Sequence, residues 1–291
     1  MRHVTHPSPG GADSAGSNSP NPPATSDLSG TLGHMPGAAH DAATLAAFQS
    51  GEERLVYARF RSRPSAAPYY LTEGGAAVVG FRAWVTEHLE CLMPSCSDRR
   101  LVLVNRAASG RRDGFSHRAG SGGHAPESLF HQQGKAAILA WVSSRYPHVV
   151  AAAEVPLPQR SRVADVMLTW PDGAQVAVEI QYAQLGIEEW TQRNQAYLTA
   201  GVTPVWLFGH HGAQMRTSAT TEGATLVKLS TLHQHMLGQG AQPLWINPID
   251  ATLGTPWARV AHPDGGAEGA LINSFQVHCP LGTTAARFAV T

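Results

Sequence analysis

The sequence predicts a mixed α/β protein in which a small β-rich module precedes a larger core. Three observations carry this. Between residues 124 and 212, apolar runs of strand length lie among two stretches of helical length, in the order helix, strand, strand, strand, helix, strand. That order is a compact mixed α/β unit. Residues 50 to 120 instead break into short runs of Val, Tyr, Phe and Trp separated by Gly, Pro and Ser, a pattern of strands and turns. Finally, 291 residues of which 43% are hydrophobic suffice for one large domain or two small ones.

The elements follow in chain order. Residues 1 to 45 are dominated by Ser, Pro, Gly, Ala and His; such a segment cannot bury enough apolar surface to offset its ordering entropy, so a disordered tail is expected. From Leu55 to Val104, stretches such as "GGAAVVGFRAWV" and "RRLVLVNR" read as short strands. A Gly-, Ser- and Arg-rich loop comes next. A helix is predicted from about Ser128 to Arg145, between Pro126 and Pro147. The strands "HVVAAAEVPLP", "RVADVMLTW" and "QVAVEIQY" follow. The next helix, "IEEWTQRNQAYLTAG", ends at Gly201, a residue suited to a left-handed cap. "VTPVWLFG" is a further strand. Residues 213 to 291 form an extension without a clear role, in which "ATLVKLSTLHQHML" reads as a strand and a short helix and "QPLWINPI" as a strand.

Composition narrows function less than patterning does. The formal net charge is zero, so no global charge announces a nucleic-acid binder. Lysine occurs only at Lys135 and Lys228, which leaves two candidates for any chemistry needing an ammonium group. Three scattered cysteines make no disulfide framework. The first residues lack the apolar core of a signal peptide and no run of membrane-spanning length occurs. A cytoplasmic protein without a membrane partner is the expectation.

The stretch "RVADVMLTWPDGAQVAVEIQY", residues 162 to 182, holds the main chemical signal. Pro171 and Gly173 fit a three-residue hairpin loop that pairs Trp170 with Ala174. Asp165 then falls opposite Glu179 on one face, and Gln181 shares that face through the two-residue alternation of a strand. Opposed carboxylates repel. Either the face is solvated, or a hard divalent cation such as Mg²⁺ relieves the repulsion. Upstream, Glu127, His131 and Lys135 recur every four residues and form one helical stripe. Arg193 and Tyr197, also four apart, share a face of the next helix.

"RVADVML", "VAVEIQYAQLGIEEWTQRNQAYLTAGVTPVWLF" and "ESLFHQQGK" resemble the competence protein CoiA-like family over roughly residues 90 to 210. The resemblance implies a restriction-endonuclease-like core of the PD-(D/E)xK nuclease superfamily. It implies that Asp165 and Glu179 are ligands of Mg²⁺ or Mn²⁺, and that Glu127 adds a metal contact. Gln181 stands where the superfamily usually has lysine. A neutral amide orients a water but supplies no charge, so Lys135 or His131 is the expected substitute. Arg193 and Tyr197 read as a phosphate contact and a stacking or hydroxyl contact to nucleic acid; otherwise they are an arginine packed over a tyrosine on a helix surface.

In this family the preceding segment often carries a Cys-x-x-Cys pair and a His-Phe-Ala-His motif. Here "CLMPSC" supplies Cys91 and Cys96, "GFSH" supplies His117, and Gly114 stands at the first histidine position. A structural Zn²⁺ needs four ligands, with His88 or His124 as the fourth; the alternative is a finger-like module without metal. The functional expectation is a metal-dependent nuclease acting on DNA, single-stranded or branched, in uptake or recombination and alongside recombination proteins. The alternative is an accessory protein that keeps the fold, binds DNA and does not cut.

Overall fold

The computed structural model describes residues 45–50, 54–118, 124–158, 162–219, 225–260 and 271–277. All but the last residue of the expected tail thus lies outside the described residues.

In the N-terminal module, β1 (Tyr57–Phe60) pairs antiparallel with β2 (Tyr69–Tyr70) and β3 (Leu89–Glu90). Between β2 and β3 lies α1 (Phe81–His88), so part of "GGAAVVGFRAWV" is a helix and not a strand. The residues are rich in strand formers, but their aromatic spacing is helical. Phe81 stacks on Trp84 at 5.4 Å and Trp84 meets His88 at 5.2 Å, measured between ring centroids. The hairpin of β4 (Val102–Val104) and β5 (Gly114–Ser116) completes the module.

Next comes α2 (Pro126–Arg145), with proline at the start of the helix, where a missing N–H costs nothing. One side of α2 gives Leu129 to the module core. Phe130, Ala137, Ile138 and Trp141 enter the core of the main sheet. Gln133, fully buried, accepts from the Val56 amide at 2.7 Å and donates to the Arg54 carbonyl at 2.8 Å. Its side-chain amide thus serves as a strand partner for the chain entering β1.

Among the described residues the main sheet has nine strands: β6 (Val150–Pro156), β7 (Val163–Thr169), β8 (Gln175–Gln181), β9 (Thr203–Gly209), β10 (Arg216–Ala219), β11 (Thr225–Lys228), β12 (Leu244–Asn247), β13 (Thr252–Val260) and β14 (Leu271–Val277). Their spatial order is β10-β11-β14-β13-β12-β9-β8-β7-β6. Among the described residues, only β8–β9 and β9–β12 pair parallel. The residues beyond 212 therefore continue the same sheet. Two more helices, α3 (Ile187–Thr199) and α4 (Thr231–Gly238), follow β8 and β11. Gly201, at φ 74°, closes α3 as expected.

Alternation along β9 sorts the two layers. Leu207 joins the cluster of α2, whereas Trp206 and Phe208 join Trp190 of α3 and Leu232 and Met236 of α4. Each large apolar side chain buried this way contributes about 1.5–3 kcal/mol. Among the described residues no helix is long and apolar enough to cross a membrane.

Candidate functional site

The β7–β8 hairpin turns as its sequence predicts. The Trp170 amide donates to the Ala174 carbonyl at 2.9 Å, and Gly173 takes a left-handed φ of 88°. Pairing runs from Thr169↔Gln175 to Val166↔Val178. One step further, that register makes Asp165 the counterpart of Glu179, but there the ladder gives way to side chains. Asp165 Oδ2 accepts from the Ile180 amide at 2.8 Å, and Glu179 Oε1 accepts from the Asp165 amide at 3.4 Å.

The other flank of β7 is interrupted at the same place. Its pairing with β6 skips from Ala153↔Val166 to Val155↔Ala164. The residue passed over on β6 is Glu154, at φ 55°, a left-handed conformation uncommon for a residue with a Cβ. The sheet is therefore open on both sides of Asp165. Glu154 escaped the sequence reading; its one signal is a lone carboxylate in "VVAAAEVP".

Helix α2 supplies the partners of Asp165. Gly134 allows the close approach, since a Cβ there would lie 3.1 Å from Ile180 Cγ2. His131 Nε2 stands 3.1 Å from Asp165 Oδ1, and Lys135 Nζ donates to Glu154 Oε1 at 2.8 Å. The stripe predicted on this helix thus faces the site through His131 and Lys135, while the side chain of Glu127 lies outside the described residues. Burial alone would raise the Asp165 carboxyl. The hydrogen bond and charge of His131, the Ile180 amide and the Lys135 charge outweigh burial and hold it below the ordinary carboxylate range.

Helix α3 supplies the partners of Glu179, which is only 1% exposed. Tyr197 donates its hydroxyl to Oε1 and Arg193 donates to Oε2. The Arg193 guanidinium also lies over the Trp206 ring at 5.1 Å. Burial pushes the Glu179 carboxyl up, Asp165 adds to the rise, and Tyr197 and Arg193 offset only part of it. Arg193 and Tyr197 share a face, as their spacing requires, but that face turns inward. Tyr197 is 1% exposed and presents no ring on which a base can stack. Gln181 is turned aside too: its Nε2 donates to the Ala183 carbonyl at 2.7 Å, an oxygen that Gln214 Nε2 also reaches.

A second group of side chains gathers in the module. Cys91 and Cys96 flank the turn after β3, His117 follows β5 and His124 precedes α2. Their four ligand atoms lie within 4.8 Å of one another. Cys91 Sγ is 3.4 Å from His124 Nε2, Cys96 Sγ is 3.7 Å from His117 Nε2, and the two Nε2 atoms are 3.2 Å apart. A tetrahedral Zn²⁺ with ordinary bond lengths sets these separations at about 3.6 Å for sulfur to nitrogen and about 3.3 Å between nitrogens. The fourth member is His124. His88 instead meets Trp84 and lies 3.8 Å from Glu87. Gly114 has no room for a histidine, since a Cβ would sit 2.2 Å from Arg54 Cδ.

Residues 127–248 match the family described as competence protein CoiA, nuclease-like domain. No curated protein and no solved structure matches the chain. The matched segment contains the opened hairpin, His131 and Lys135 of α2, and Arg193 and Tyr197 of α3. Through this segment, which is less than half of its length, the chain is similar to the nuclease-like domain of that family.

Proposed function

We propose that this domain is a divalent-cation-dependent nuclease with a restriction-endonuclease-like core, hydrolysing phosphodiester bonds of DNA in uptake or recombination. The observation that carries the reading is the opening of the sheet around Asp165, which brings Asp165, Glu179 and Glu154 to one point of an apolar sheet inside the matched segment. Carboxylate oxygens are what Mg²⁺ and Mn²⁺ take; Asp165 Oδ2 and Glu179 Oε2 each keep a second lone pair beyond the one hydrogen bond they accept, whereas Glu179 Oε1 already accepts two. The donor set fits such an ion, with Asp165 and Glu179 as ligands and Glu154 as the most exposed carboxylate. Bound there, the ion would lower the pKa of a coordinated water and neutralise phosphate charge.

The chain's own residues have separable roles. Arg193 and Tyr197 fix Glu179, and the Ile180 amide fixes Asp165. His131 holds or releases a proton at Nε2, next to Asp165. Lys135, paired with Glu154, supplies the ammonium group that Gln181 lacks. In the module, Cys91, Cys96, His117 and His124 hold a structural Zn²⁺, readable as one equivalent of zinc per chain.

The test is cleavage of labelled single-stranded, duplex and branched DNA with Mg²⁺ or Mn²⁺, beside Glu179→Ala. Cutting is expected from the wild type alone and is abolished by chelator. Equal cutting by both proteins would remove the reaction from this site. One observation favours a second reading: both Glu179 oxygens already have donors and Gln181 faces its own loop. The domain would then bind DNA without cutting it, and salt-sensitive binding without cleavage under either cation would select that role.

A further inference from the structure

Four aromatic rings meet in the N-terminal module: Phe60 of β1, Tyr69 of β2, and Phe81 and Trp84 of α1. Each lies 5.4 to 6.3 Å, centroid to centroid, from at least two of the others, and Phe81 stacks on Trp84. They pack against the module core, which holds them in place, yet none of the four is fully buried. Arginines lie beside them. The Arg63 guanidinium sits over the Phe60 ring at 5.3 Å, Arg82 follows Phe81 on α1, and Arg61 Nε donates to the Leu89 carbonyl at 2.9 Å. All three arginines are exposed.

The charge of the module is one-sided. Residues 54 to 118 hold eleven arginines and no lysine against five carboxylates. Three of the five are engaged elsewhere: Glu90 pairs with Arg59 and Arg99, Asp98 with Arg100, and Asp113 accepts from the Ala76 and Arg106 amides. The other two are Glu73 and Glu87, the latter 3.8 Å from His88. Among the described residues no carboxylate pairs with Arg61, Arg63 or Arg82. Rings flanked by arginines suit a polyanion whose bases are unpaired, since bases stack on the rings while guanidinium groups meet the phosphates. We propose that this face of the module binds single-stranded DNA, with Phe60, Tyr69, Phe81 and Trp84 as its stacking surface and Arg61, Arg63 and Arg82 as its phosphate contacts. The proposal rests on the nucleic-acid reading above and adds a grip outside the family-matched segment.

The test compares the full-length wild type with Arg63→Gln/Arg82→Gln and Phe81→Leu/Trp84→Leu. A labelled single strand and a duplex of equal length are titrated across a salt series, without Mg²⁺ or Mn²⁺ so that neither is cut. Loss of the two arginines should weaken single-strand binding about tenfold at moderate salt and reduce its salt slope by about 1.4. Leucine keeps apolar bulk but offers no ring, so the second variant should bind the single strand about tenfold more weakly with an unchanged slope. Duplex binding should barely move in either. Should the leucine variant melt early, the arginine pair, at exposed positions, decides alone through its slope. Wild-type affinity and slope in both variants would overturn the proposal while the nuclease reading stands on its own cleavage assay. Equal losses on duplex and single strand would overturn it too, because a duplex offers no free base faces. A wild type that binds neither DNA even at low salt would end the nucleic-acid reading as well.

Discussion

At the Asp165–Glu179 site every carboxylate oxygen meets a group on the chain, whereas in the Cys91–Cys96–His117–His124 cluster the ligand atoms chiefly meet one another. The first carries its own countercharges, in Arg193 and Lys135. The second has none within its ring of donors, and burial pushes the Cys91 thiol up to about 12, so it stays neutral on its own. Repulsion between two carboxylates, which read from sequence calls for either solvent or a cation, is already moderated by the fold. The Cys–His group is the one whose geometry is completed only by an ion. With the Zn²⁺ proposed above, its folding would be tied to metal, whereas the carboxylates of the other site already have partners on the chain.

The largest effect that tests this contrast is zinc removal. Structural zinc sites carry binding free energies of order 10 kcal/mol at neutral pH. Stripping the metal, or the Cys91→Ser/Cys96→Ser pair, should lower the thermal midpoint steeply and expose the module's amides to hydrogen exchange. A melting curve indifferent to both would dissolve the contrast. Next comes Arg193→Met, which leaves Glu179 buried without its cation. It should cost about 3 kcal/mol in urea unfolding, and Tyr197→Phe about 1–2 kcal/mol. Losses near zero would mean that Glu179 has no need of α3.

How much of this was legible follows from the range of each interaction. The hairpin register, Gly173, the two long helices and Gly201 depend on neighbours in sequence, and the sequence displayed them. Helical spacing put Arg193 and Tyr197 on one face but could not say that the face turns toward Glu179, because that depends on β8. Helix α1 was hidden because its Val, Phe and Trp favour strands and only tertiary stacking settles their period. Glu154 was hidden because its position follows from how β6 meets β7. Among the zinc candidates, His124 prevails over His88 only through the folded path of the chain.

Two buried histidines outside both clusters give a baseline for acid sensitivity. His210 and His233 are fully buried, and burial lowers them to about 3 and about 4. The unfolded chain takes up protons below about pH 6.5 while these two stay neutral in the fold. Stability should therefore fall as pH drops from about 6.5 toward 4, by about 1.4 kcal/mol per pH unit for each histidine. His233→Gln retains the capping-box pattern after Ser230, so comparing urea midpoints across pH isolates its share. A slope equal to that of the wild type would show that His233 charges within the fold. The smallest effect belongs to the exposed Glu189, 3.9 Å from Arg193 one turn on. Glu189→Ala should change stability by a few tenths of a kcal/mol at most; a larger loss would mean that the hold on Glu179 extends to the helix surface.

Helix α2 faces two cores at once, with Gln133 standing in for a strand beside Val56 and Leu129 lodged in the module. A truncation beginning at residue 124 would keep the family-matched segment yet strand this amide in a bare apolar patch. The start of the family-matched segment is thus not a cleavable seam. An expression fragment trimmed to it should aggregate unless Leu129 and Gln133 are redesigned as surface residues.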